Sequence, residues 1–102
     1  MNEEIRNLQP ENVWNNFADL NAVPRPSKKE ERVIAFMEEF GKKLELETIT
    51  DKAGNVVIKK PASPGMENRK TVVLQSHLDM VHQKNNDTDF DFSTEGIKMY
   101  VD

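Results

Sequence analysis

The sequence predicts an α/β fold in which two amino-terminal helices pack on a mixed sheet. Three observations predict it. Two stretches, near residues 10–20 and 27–44, carry apolar residues at helical spacing. Residues 44–59 alternate polar and apolar side chains on either side of a Gly-Asn turn. Residues 71–74, Thr-Val-Val-Leu, form a short β-branched apolar run bounded upstream by the loop Pro-Ala-Ser-Pro-Gly.

Pro10 suits the first turn of a helix, where its missing N–H costs nothing. Val13, Trp14, Phe17 and Leu20 follow as one stripe, and Trp14 is assigned to core packing rather than to stacking on a ligand. The sequence Val23-Pro24-Arg25-Pro26 ends this helix, because residues before proline are pushed out of the α region. Ser27 and Glu30 have the spacing of a capping box and predict the start of a second helix. That helix carries Val33, Ile34, Phe36, Met37, Phe40 and Leu44 inward, and Gly41 weakens its last turns.

Leu44, Leu46 and Thr48 predict a half-buried strand, residues 51–55 a turn in which Gly54 supplies a positive φ, and residues 56–59 a second strand. The two strands are expected to pair as a hairpin. After a loop over 61–68, residues 71–76 are expected to form a central strand buried on both faces. Trp14, Phe17, Val33, Phe36, Met37 and Phe40 are expected to pack the helices onto the sheet that contains Val72, Val73 and Leu74. Residues 82–89 are strongly polar and read as a loop, with Phe90 and Phe92 as its anchors. Residues 97–102 read as a strand in which the chain stops, the pattern of a sequence cut from something longer.

Composition narrows the class of function. A chain of 102 residues makes one small domain. With 36% hydrophobic residues, 31% charged residues and a mean hydropathy of -0.73, its core is small. The net charge of -4 and the isolated lysine pairs, interleaved with acids, speak against nucleic-acid binding. No cysteine is present, so a metal would be held by imidazole and carboxylate. The first residues lack the basic start and apolar core of a signal peptide, and no apolar run approaches ~20 residues. The expectation is a cytoplasmic protein with no membrane partner.

Chemistry concentrates at His77-Leu78-Asp79, where the apolar run ends. Residues two apart on an extended chain point to the same side, so His77 and Asp79 share a face. The carboxyl end of a strand is also where open α/β sheets build their sites. One reading is structural: the pair caps the strand, with Asp79 accepting a hydrogen bond from His77. The other is metal ligation by the imidazole, its second nitrogen fixed by the carboxylate. His82 extends the second reading to two histidines and a carboxylate, the set of a non-haem iron site. The spacing argues against it, because such triads draw their second histidine from a distant element; the alternative for His82 is a solvated loop residue.

His77-Leu78-Asp79-Met80-Val81 fits the His-x-Asp-x-Val signature of the co-catalytic dizinc exopeptidases. With its flanks, Lys60 to Lys70, Val72 to Ser76 and Gln83 to Asp87, and with the early Val23-Pro24-Arg25-Pro26-Ser27, essentially the whole chain resembles the amino-terminal part of the bacterial aminoacyl-histidine dipeptidases. The resemblance implies that residues 1–102 are the amino-terminal segment of a dizinc peptidase catalytic domain, truncated at its carboxyl end. It implies a metal-dependent hydrolase of Xaa-His dipeptides with two zinc ions per complete site, another divalent metal being an alternative. The histidine matching His77 ligates one zinc, and the aspartate matching Asp79 steadies that histidine in catalysis. The bridging aspartate, the glutamate base and the later ligands lie downstream in that family, so the 102-residue chain alone is expected to be inactive. Many members carry proline where His82 stands, and a homodimer remains open for the full-length protein. The alternative from a different class is a small, non-catalytic α/β interaction domain.

Overall fold

The computed structural model describes residues 2–102, and its elements follow one another as three helices and a hairpin. Helix α1 (Glu3–Arg6) is a single turn that buries Ile5. Helix α2 (Glu11–Asn21) starts directly after Pro10, which stands as its extended N-cap rather than within the first turn, and buries Ala18 and Asn21. Arg6 ties the two together, through an ion pair to Asp19 at 2.7 Å and a hydrogen bond to Asn15 Oδ1 at 3.1 Å. The rings of Trp14 and Phe17 meet edge to face at 6.0 Å, and Phe17 remains 45% exposed.

Helix α3 (Glu31–Lys43) starts later than its capping signal predicts. Ser27 Oγ donates instead to Asp79 Oδ2, and the Glu30 carboxylate accepts from the backbone N–H of Lys28. A hydroxyl that meets a carboxylate makes a charge-assisted bond, stronger than the neutral one a cap would offer. Val33 is fully buried, and the helix packs on both strands of the hairpin.

The last turn of α3 closes with paired bonds, Glu45 N–H to Lys42 O at 2.9 Å and Leu46 N–H to Gly41 O at 3.0 Å. Glu45 occupies the left-handed position that glycine prefers, at φ 57°. Glu45→Gly is therefore expected to stabilise the chain by about 0.5–1 kcal/mol, the low end for cap optimisation because glycine also loosens the unfolded state. A chemical-denaturation midpoint that falls on this change would contradict the cap assignment. Gly41, read from sequence as a weak point, has a packing role. A side chain there would collide with Thr48 Oγ1, so the glycine lets α3 approach the first strand.

Strands β1 (Glu47–Thr50) and β2 (Val56–Lys59) form the expected antiparallel hairpin, with Thr48 opposite Ile58 and Glu47 opposite Lys59. Thr48, Val56 and Ile58 are half-buried, whereas Ile49 and Val57 face outward. Asp51 builds the turn. Its Oδ1 accepts from the N–H groups of Ala53 and Asn55, and its Oδ2 from the Asn55 side chain, each at 2.9 Å. Gly54 adopts φ 89°, as the turn requires.

These bonds, the Asn55 side chain first, hold the Asp51 carboxyl below its ordinary range. A carboxyl with a lowered folded pKa stabilises the fold fully above its unfolded value, about 3.9, and loses that contribution as pH falls through the folded value. The acid limb of a denaturation-versus-pH curve is therefore expected to flatten in Asp51→Asn. An unchanged acid limb would show that the turn does not couple to stability.

Two expected strands are absent as strands. Residues 71–76 make no ladder, and Val72, Val73 and Leu74 are 78%, 83% and 93% exposed. The helices consequently do not pack on them: among the described residues the sheet has two strands, not a larger mixed set. An apolar β-branched run encodes a preference for burial on both faces, but the neighbours that would bury it are not in these residues. Residues 97–101 run alongside α1 and α2 in place of a sheet. Asn2 imitates a neighbouring strand, donating to Ile97 O at 3.1 Å and accepting from Met99 N–H at 2.8 Å, while Ile97 N–H bonds Asn21 O at 2.8 Å. Phe90 and Phe92 do pack together, with ring centroids 4.8 Å apart.

Candidate functional site

The site is assembled by two extended segments that lie side by side. Pro24 keeps Val23, and Pro26 keeps Arg25, out of the helical region. The extended backbone that results forms a parallel bridge between Pro26 and Met80, in which Met80 N–H bonds Arg25 O at 2.8 Å and Ser27 N–H bonds Met80 O at 3.1 Å. The Arg25 guanidinium reaches past it to Leu78 O at 2.9 Å and to Asn21 Oδ1 at 2.8 Å. Partial burial pulls the Arg25 pKa down and the charge of Asp79 opposes that pull. Arginine stays charged through such a shift. Its Nε is buried without a partner among the described residues.

On this bracket stand His77 and Asp79. Their side chains meet as the extended geometry predicts, with His77 Nδ1 3.0 Å from Asp79 Oδ1. Asp79 is one-third exposed and His77 is 80% exposed, so the imidazole projects into solvent from a carboxylate held at the surface of the fold. The other carboxylate oxygen accepts from Ser27 Oγ at 2.5 Å. The Ser27 bond, then the His77 bond, hold the Asp79 carboxyl below its ordinary range. An ionised Asp79 can only accept, so in neutral His77 the proton sits on Nδ1. The Nε2 lone pair then faces solvent, free to act as a ligand or a base.

His82 does not join the pair. Its ring lies edge-on to Phe92 at a centroid separation of 6.5 Å. Among the described residues no group of three His, Asp or Glu side chains converges to hold a metal. The iron-type triad is thus not assembled here. Three further contributors, Ser27, Arg25 and Asn21, were not legible as parts of the site. Ser27 carries a helix-cap signal that outweighs any other local reading, and the proline-flanked Arg25 was the available hint.

Over 99 residues, 97% of its length, the chain is 46% identical to a cytosol non-specific dipeptidase of Escherichia coli (strain K12), and the match covers 20% of that protein. Its fold matches the crystal structure of an aminoacylhistidine dipeptidase from Vibrio alginolyticus with a TM-score of 0.92 and 46% sequence identity, over 98% of this chain and 20% of that one. No family model matches. The α/β class expected from the sequence holds, as three helices with a two-stranded antiparallel sheet. Nearly the whole chain is therefore similar to part of a dipeptidase, and it spans about one fifth of the length of the relatives it matches.

Proposed function

We propose that the protein carrying this chain is a metal-dependent hydrolase of short peptides, Xaa-His dipeptides among them, and that His77 is a zinc ligand through Nε2. The observation that carries the proposal is the Asp79–His77 pair: a carboxylate on Nδ1 leaves Nε2 directed outward, the usual arrangement of a metal-bound histidine. Similarity to two dipeptidases supports the reaction class. The donor chemistry suits zinc, with a neutral imidazole as ligand and no thiolate in the chain. A complete site takes two zinc ions, or another divalent metal in their place, and bound metal of this kind lowers the pKa of water and polarises the scissile carbonyl.

In this scheme Asp79 touches no substrate. It fixes the ring plane and tautomer of His77. In this reading the remaining ligands and the base are supplied by other parts of the protein, since among the described residues no group of three His, Asp or Glu side chains comes together. The name of the Escherichia coli relative supports a cytosolic location, and among the described residues no helix is long and apolar enough to cross a membrane.

The test uses the full-length protein and carnosine-type dipeptides. Chelation is expected to remove hydrolysis and zinc to restore it. Asp79→Asn is expected to lower metal affinity or activity on the order of 10–100-fold, since an amide keeps a hydrogen bond but loses the charge. Hydrolysis indifferent to chelation would overturn the metal-dependent reading.

A further inference from the structure

We propose that Ser27 is a positioning residue of the metal site, acting on His77 through Asp79; the inference rests on the function proposed above. The observation is a chain of contacts that ends at the His77 ring, which among the described residues is held by Asp79. His77 lies at the end of a stretch, residues 71–76, that makes no ladder, and its side chain is largely in solvent. Asp79 is the side chain that holds it, at 3.0 Å. A carboxylate turns readily about its last torsion, whose wells are broad and two-fold. Left free, Asp79 would present either oxygen, or neither, to Nδ1.

The Ser27 hydroxyl removes that freedom. It has one proton to give and two acceptors in range, Asp79 Oδ2 at 2.5 Å and Met80 O at 3.4 Å. The shorter contact and the charge both favour Asp79. With Oδ2 taken, Oδ1 is the oxygen turned toward His77. Ser27 is itself held by its backbone N–H on Met80 O, and Arg25 grips Leu78 O, the carbonyl between the two site residues. Residues 77–80 are thereby fastened from one side to the segment 25–27.

A purely structural Ser27 would tie the two segments together and affect stability alone. A positioning Ser27 affects the metal. The two are separated in the full-length protein by measuring zinc affinity against a chromophoric chelator and the ¹⁵N shifts of His77 in the metal-free state. Ser27→Ala is expected to weaken zinc binding measurably, by no more than the roughly 10–100-fold expected for losing Asp79, the group that bonds the ligand directly. It is also expected to move the His77 nitrogens from the Nδ1–H form toward a mixture of tautomers. In an Asp79→Asn background the same change is expected to cost little more, because the relay is already broken.

Should Ser27→Ala fail to fold, Ser27→Thr and Ser27→Val replace it, being alike in shape and differing by the hydroxyl. Thr is expected to retain zinc affinity and Val to lose it. Equal zinc affinity in each comparison, or a Ser27→Ala cost that is the same with and without Asp79→Asn, would overturn the inference. A His77→Ala protein that binds zinc like the wild type would instead overturn the ligand assignment on which it rests.

Discussion

His77→Ala in the full-length protein is expected to reduce Xaa-His dipeptide hydrolysis to the level of the uncatalysed blank. The reason lies in what the ring contributes. Its Nδ1 is committed to Asp79 at 3.0 Å, so Nε2 is the atom available to a metal, and alanine offers nothing in its place. Losing an outer partner of a ligand costs about 10–100-fold, and losing the ligand itself costs more. In this chain the side chain is 80% exposed, so the substitution removes little packing among the described residues. Metal content and hydrolysis are measured on the same preparation, with a denaturation curve as the control for folding. Activity retained in the presence of added zinc would rule out His77 as an essential ligand.

The second large effect is an absence. The isolated 102-residue chain is expected to bind zinc weakly and to hydrolyse no dipeptide. A catalytic zinc takes about three protein ligands and a water, and a dinuclear site needs a bridging carboxylate as well. The described residues supply His77 at the site, with His82 set against Phe92 and no third donor converging. Asp79, the carboxylate beside it, is committed to His77 and Ser27 and is not poised as a base, and the lack of such a group costs about 10²–10⁴-fold by itself. Calorimetric zinc titration beside a carnosine-hydrolysis assay tests both halves. Tight stoichiometric binding together with turnover that disappears in His77→Ala would mean that the chain assembles a complete site, for example between two copies.

Local pattern explains which parts of the fold could be read beforehand. Helices α2 and α3 and the hairpin are each specified within their own residues, by the 3.6-residue stripe, by alternation and by the Asp51–Asn55 turn. Residues 71–76 and 97–102 carry strand patterns that the structure does not realise as strands, for one shared reason. A strand is completed by its neighbours, and a β-branched run announces the need for them without supplying them. Val72 to Leu74 therefore lie exposed, while Ile97 and Met99 are paired by the side chain of Asn2, which no periodicity signals.

The site divides along the same line. The His77–Asp79 contact follows from two-residue spacing on an extended chain. Ser27 and Arg25 lie some fifty positions earlier, and only the folded chain brings them beneath it. Ser27 was masked by its capping-box spacing to Glu30. A serine hydroxyl can serve a helix end or a distant carboxylate, and sequence alone exposes only the nearer choice.

The most direct measurement is an anomalous-scattering map of the full-length protein crystallised with zinc. The account predicts a metal about 2.0–2.1 Å from His77 Nε2, with Nδ1 still bonded to Asp79 and Ser27 still on the far carboxylate oxygen. Zinc bound through Nδ1, or a fully occupied metal site from which His77 is absent, would contradict it.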